Sequence, residues 1–278
     1  MDLVLVTRLA IIGAGNIGLA IAHGMIKSGR YKANQIILTR RKTHLLKKEE
    51  KLGFRITQDN RLAVKEAKII MLAVEPQQIR QLLLELSPLL DPKRHIIISI
   101  VSGISISDIE QIINKKLPIA RAMPNTAIAI RESMTCIASQ DASALKIAKE
   151  IFTNAGKTMV IDEEQMIPAT ALGACGIAFF LRAIRAASQG GIEIGFHPDE
   201  AIQIAAQTAK GAADLLLKST KHPEGEIDRV TTPRGCTISG LNRMEHEGFS
   251  SAMIKGIVTS CEKAGYLYQV NENNPKTK

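Results

Sequence analysis

Between residues 8 and 161, short runs of Ile, Leu, Val and Met recur, each followed by a stretch whose apolar positions return every three or four residues. Runs such as IIMLAV (69–74) and HIIISIV (95–101) are continuous rather than alternating, as expected of strands covered by helices on both faces. Strands are predicted at 8–12, 35–39, 54–57, 69–74, 95–101, 119–123, 134–138 and 157–161, with helices between them, for example 16–28, 76–90 and 142–155. This alternation makes βαβ units, so residues 1–164 are assigned to a Rossmann-type α/β domain with a mainly parallel sheet.

After Glu164 the strand pattern stops, and long helical patterns follow at 169–190, 198–218 and 250–265, with a shorter helix around 238–247. Pro198 at a first-turn position, followed by Asp199 and Glu200, suits the positive end of a helix dipole. The interior AIQIAAQTAKGAADLLL is dense in Ala and Gly, which lets helices approach closely, within the chain or from a second subunit. Residues 165–278 are therefore assigned to an all-α domain.

The 278 residues are 45% apolar and 23% charged, enough for two domains with separate cores. The start MDLVLVTRLAIIG has an acid at Asp2 and no basic leading segment, so no signal peptide is expected. The longest apolar run, 166–181, contains Pro168 and Thr170 and falls short of the ~20 residues of a membrane span. A soluble, cytoplasmic protein is the expectation. Cys136, Cys175, Cys236 and Cys261 are far apart with no histidine cluster, which points to reduced thiols and no metal site. The net charge of +9 is scattered among acids, and aromatics make up only 3%, so a small anionic ligand is expected rather than nucleic acid.

Gly13-Ala14-Gly15-Asn16-Ile17-Gly18 stands between the strand LAII and a helical pattern, the setting a dinucleotide turn requires. There Gly13 makes the tight turn, Gly15 lets the backbone approach a pyrophosphate, Gly18 brings helix and strand together, and the phosphates sit at the helix N-terminus. At the end of the second strand, Thr39, Arg40 and Arg41 stand where an acid would bind a ribose 2′-hydroxyl. A hydroxyl and two guanidiniums match a 2′-phosphate, so NADP(H) is predicted, with NAD(H) as the alternative cofactor. Ala73, Val74 and Pro76, around Glu75, and Asn125 and Thr126, after Pro124, lie at strand carboxyl ends and are candidates for the nicotinamide half. Each segment is equally an X-Pro turn. In the helical half, Thr232-Pro233-Arg234-Gly235-Cys236-Thr237 ahead of a helix is either an anion nest suited to a carboxylate or an ordinary helix start capped by Thr237.

In order and spacing, these segments resemble the Δ1-pyrroline-5-carboxylate reductases over almost the whole chain. The family's AVKPQ, RAMPNT and SPGGTT-x-x-GL-x-x-LE-x-x-GF patterns are met by AVEPQ, RAMPNT and TPRGCTISGLNRMEHEGF, and AAQTAKGAADLLL and HPEGEIDRVTTP add to the match. The resemblance implies a Rossmann domain and an all-helical domain that interlocks into a homodimer, with further assembly as a decamer of dimers. It implies NADPH-dependent reduction of the cyclic imine to L-proline. Thr232, Gly235, Cys236 and Thr237 would surround the substrate carboxylate, with the Thr237 hydroxyl near the ring nitrogen as the catalytic group. Asn60 would lie near the adenosine ribose and 2′-phosphate, and Asn125 and Thr126 near the nicotinamide ribose and ring.

This chain departs from the pattern at Glu75, where lysine is usual, at Arg234 and Cys236, and in GACGIAFF, where Ile177 replaces a proline. These departures bear on affinity and substrate identity rather than on fold. Two other readings compete: a catalytically altered NADP-binding paralogue with a regulatory role, and a β-hydroxyacid dehydrogenase-like enzyme. The second needs a helical lysine as general acid/base, and 173–180 offers none.

Overall fold

The structure, a computed structural model, describes residues 8–219 and 222–267. The leading stretch 1–7, weighed above for a signal peptide, lies outside the described residues. Strands β1 (Leu9–Ile12), β2 (Ile36–Thr39), β3 (Arg55–Thr57), β4 (Ile69–Leu72), β5 (Ile96–Ser99), β6 (Ile119–Met123), β7 (Ser133–Ala138) and β8 (Gly156–Val160) form one sheet in the order β3-β2-β1-β4-β5-β6-β7-β8. Every neighbouring pair is parallel except β6 and β7. The predicted strands are all present, with small shifts at their ends.

Between the strands run α1 (Asn16–Lys27), α2 (Lys47–Lys51), α3 (Asn60–Glu66), α4 (Pro76–Leu86), α5 (Ile106–Ile113) and α6 (Ala142–Thr153). Because successive strand residues face opposite ways, each strand feeds two cores. Leu9, Ile11, Ile36 and Ile98 pack with Ile21 and Met25 of α1 and Phe152 of α6. Ala10, Ile12, Ile37 and Ile97 pack with Val64 of α3, Ile79 and Leu83 of α4, and Ile109 of α5. Each fully buried Ile, Leu or Phe contributes about 1.5–3 kcal/mol, which is why continuous apolar runs encode a sheet covered on both faces.

The remaining helices are α7 (Met166–Ala169), α8 (Gly176–Glu193), α9 (Pro198–Lys218), α10 (Pro223–Val230), α11 (Cys236–His246) and α12 (Phe249–Tyr266), with a π-helical stretch Thr170–Cys175 between α7 and α8. The π turns carry the chain from α7 to α8 without a break, so the apolar segment is longer than the run 166–181. The helix Glu163–Glu193 is long and apolar enough, by length and composition, to cross a membrane, which corrects the expectation drawn from that run. The sequence reading passed over α10, whose PEGEIDRV lacks an apolar stripe. Its end signals were nonetheless present: Pro223 in the first turn, Glu224 and Glu226 near the N-terminus and Arg229 near the C-terminus.

By compactness the chain divides into a sheet-bearing unit, Met1–Cys175 with Ser260–Lys278, and a helical unit, Gly176–Thr259. Within the helical unit α8 packs on α9, and a Cβ on Gly191 would lie 3.1 Å from the Cβ of Ala201, so small residues set the helix spacing there.

Candidate functional site

The chain passes from β1 to β2 and β3 on one side and returns through β4 to β6 on the other, so the strand order reverses at the β1/β4 boundary. Ligands of open α/β sheets bind at the carboxyl ends of strands at such a point. A cleft of about 840 Å³ opens there, lined by Gly13, Ala14 and Gly15 after β1, by Thr39, Arg40, Arg41 and Lys42 after β2, and by Ala73 and Val74 after β4.

The glycine turn is built for close approach. Gly13 has φ +101°, and a Cβ there would lie 2.6 Å from the Ala73 carbonyl oxygen. A Cβ on Gly18 would lie 2.5 Å from the Gly13 oxygen, so α1 can rest on the turn only without one. A Cβ on Gly15, by contrast, meets nothing within 4 Å and would project into open space. No side chain caps α1 and no acid stands in its first turn, so its N-terminal N–H groups remain available to an anion. These features fit a dinucleotide's pyrophosphate.

The basic loop has two kinds of member. Thr39 is buried, and its hydroxyl oxygen accepts the Gly13 N–H at 3.3 Å, so it shapes the glycine turn. Arg40 donates from Nη1 to the Ala14 carbonyl at 3.2 Å, which holds its guanidinium beside the turn, while Arg41 and Lys42 line the same cleft. Asn60, the first residue of α3, also lines it, and Asp59 takes over capping by accepting from the N–H groups of Arg61 and Leu62. The cleft is also lined by Glu75 and Gln78, from the Glu75-Pro76-Gln77-Gln78 segment that the sequence singles out after the fourth strand, and by Gln81, Leu82 and Glu85 further along α4, which the sequence reading did not assign. Their spacing in steps of three and four residues from Gln78 is the signal that places them on one helix face.

Other expected cofactor residues stand outside that lining. Asn16 and Ile17 belong to the first turn of α1, with Ile17 packed on the core; Pro76 starts α4, and Thr126 starts a short 3₁₀ turn. Asn125 spends its amide locally: Oδ1 accepts the Ala127 N–H and Nδ2 donates to the Gly173 carbonyl in the π-helical stretch, each at 3.1 Å. Its side chain thus secures the loop after β6.

The expected substrate residues form a turn of the helical unit. The Gly235 N–H donates to the Thr232 carbonyl at 2.9 Å, and a Cβ on Gly235 would lie 2.5 Å from the Thr232 hydroxyl oxygen, so only glycine fits. Arg234 takes the left-handed conformation, φ 61°, in which glycine is most comfortable. The helix begins at Cys236 with Gly235 as its N-cap, so Thr237 lies inside the first turn, which corrects the alternative that made it the cap. With no side chain capping α11, its first N–H groups are open to a carboxylate.

All four cysteines are free, and burial pushes the Cys136 and Cys175 thiols up, away from thiolate chemistry. Cys236 is exposed in the turn.

A Rossmann sheet with a glycine turn and a basic loop, followed by a helical unit whose α11 begins uncapped, is an architecture of the dinucleotide-binding oxidoreductase class. Two family models match: "NADP oxidoreductase coenzyme F420-dependent" over residues 8–103 and "Pyrroline-5-carboxylate reductase dimerisation" over residues 163–267. The chain is 52% identical to pyrroline-5-carboxylate reductase 2 of Dictyostelium discoideum over 277 residues, 92% of each protein. It is also 52% identical to pyrroline-5-carboxylate reductase 1 of the same organism, covering 96% of this chain and 51% of that one, so it spans about half the length of that relative. A crystal structure of Plasmodium falciparum pyrroline carboxylate reductase with NADP bound shares the fold, with a TM-score of 0.86 at 24% identity over 95% of this chain and 99% of that one. The chain belongs to the pyrroline-5-carboxylate reductase family.

Proposed function

We propose that this protein reduces Δ1-pyrroline-5-carboxylate to L-proline with NADPH, as a homodimer in the cytoplasm. The observation that carries the reading is the 52% identity over 92% of the length of a relative named for that activity. NADPH, when bound, supplies a hydride from C4 of its nicotinamide. The chain's own contribution is binding, orientation and charge: the open N-terminus of α1 for the pyrophosphate, Arg40 and Arg41 for the 2′-phosphate, with Asn60 beside them. In the helical unit, the open N–H groups of Cys236 and Thr237 hold the carboxylate of the imine, Thr232 and Gly235 shape the turn around it, and the Thr237 hydroxyl stands by its ring nitrogen. Such imines carry a proton readily, so no strongly perturbed acid is required, and the Thr232–Thr237 turn contains none.

The dimer is supported by the dimerisation match over 163–267 and by the apolar side chains the helical unit leaves uncovered. In this reading a second copy, rather than lipid, covers the helix Glu163–Glu193. The larger decamer of dimers expected from the family is read by the same mass measurement as the dimer.

The deciding experiment follows NADPH and NADH absorbance in the presence of pyrroline-5-carboxylate. Turnover with NADPH is expected, and Arg40→Ala should raise KM for NADPH by about tenfold or more while leaving KM for NADH nearly unchanged. Binding of NADPH without turnover would instead favour the regulatory paralogue.

A further inference from the structure

A second cleft, of about 600 Å³, lies in the sheet-bearing unit and shares no residue with the dinucleotide cleft. Its floor includes Arg121 of β6, held between Ser99 of β5 and Ala138 of β7 and only 4% exposed. The Arg121 Nη1 donates to Glu163 Oε1 at 3.4 Å, whereas Nε and Nη2 are buried with no partner. A buried guanidinium with one long contact is poorly compensated, because lost hydration must be replaced by hydrogen bonds and opposite charge. The same Glu163 oxygen also accepts the N–H of Ile106, the first residue of α5, at 2.6 Å. The chain thus already places a carboxylate between Arg121 and a helix N-terminus, using its own side chain.

The other charged lining residues besides Glu163 are Glu110, Asp162 and Glu164, and Arg121 is the one cation among the described lining residues. A phosphate or dicarboxylate would bring several negative charges to one guanidinium inside an acidic rim. A molecule with one carboxylate and one cationic nitrogen satisfies both parts. We propose that this cleft binds a small zwitterionic amino or imino acid, its carboxylate taken by Arg121 in exchange with Glu163 and its ammonium by the rim carboxylates. Carboxylate and guanidinium then meet in the bidentate arrangement that the long Glu163 contact does not provide.

Equilibrium dialysis of the intact protein with labelled L-proline and labelled glycine tests this. The expected result is a binding equivalent per chain that survives Thr237→Ala, weakens about tenfold or more in Arg121→Lys, and is not displaced by equimolar acetate or methylammonium. The double variant Glu110→Gln/Glu164→Gln, at the half-buried and exposed rim positions, should weaken it about threefold with kcat and KM unchanged, and it keeps the test decisive should Arg121→Lys fail to fold. A single equivalent lost in Thr237→Ala and indifferent to Arg121→Lys and the rim pair would overturn the second site and leave the reductase reading intact. Displacement by acetate alone would overturn the zwitterion. Binding of neither amino acid would overturn the inference, with the reductase reading still judged by its own turnover assay.

Discussion

In the sheet-bearing unit Leu9, Ile11, Leu38, Ile98 and Phe152 are sealed from solvent, whereas in the helical unit Leu217 is 77% exposed and Phe180 59%. Of α8 and α9 only Gly176, Ser188 and Ala201 are buried, and α10 and α11 have no buried residue. The sheet closes its own cores because helices cover both faces. The helices of the second unit bury little against one another, whereas helices in proteins draw most of their stability from tertiary packing. An apolar surface on this scale marks an interaction face. The first unit therefore closes its own cores and presents a cleft suited to a dinucleotide, and the second is an assembly element that carries the turn proposed for the substrate.

The hardest test of that contrast is Gly18→Val in the first unit. The Gly13 oxygen would already lie 2.5 Å from an added Cβ, so a cost of about 2–4 kcal/mol and loss of NADPH binding are expected, read by thermal melting and fluorescence titration. Phe180→Asp and Leu217→Asp probe the second unit. Both side chains are exposed in the single chain, so dissociation of the assembly should appear in sedimentation velocity while the sheet unit stays folded, and an unchanged mass would refute the assembly role. Thr237→Ala tests the turn proposed for the substrate: a fall in kcat/KM worth about 1–3 kcal/mol is expected, against no change if the hydroxyl serves only the helix. The smallest effect is expected for Arg234→Gly. Relief of φ 61° is offset by the greater freedom of glycine in the unfolded chain, so melting should shift by less than about 1 kcal/mol, and a larger loss would show that the Arg234 side chain has a partner in the assembly.

Much of this molecule was legible in the chain. The eight strands follow from apolar runs, and the glycine turn and basic loop from residue type and position, because these are local properties. The rest of the α4 lining was within reach, since Gln81 and Glu85 follow Gln78 at helical spacing. What the sequence could not reveal is how polar side chains are spent. Thr39 and Asn125 carry the right groups for a cofactor, yet Thr39 serves Gly13, 26 positions away, and Asn125 serves Gly173, 48 positions away. Periodicity reports which face a residue occupies. Which donor meets which acceptor depends on segments that only the folded sheet brings together, as with Arg121 of β6 and Glu163, 42 positions apart. The sequence by itself determined the class of cofactor and the family of the fold; the tertiary structure decided which of the candidate side chains remain free to bind, because a buried polar group must first satisfy its own hydrogen bonds.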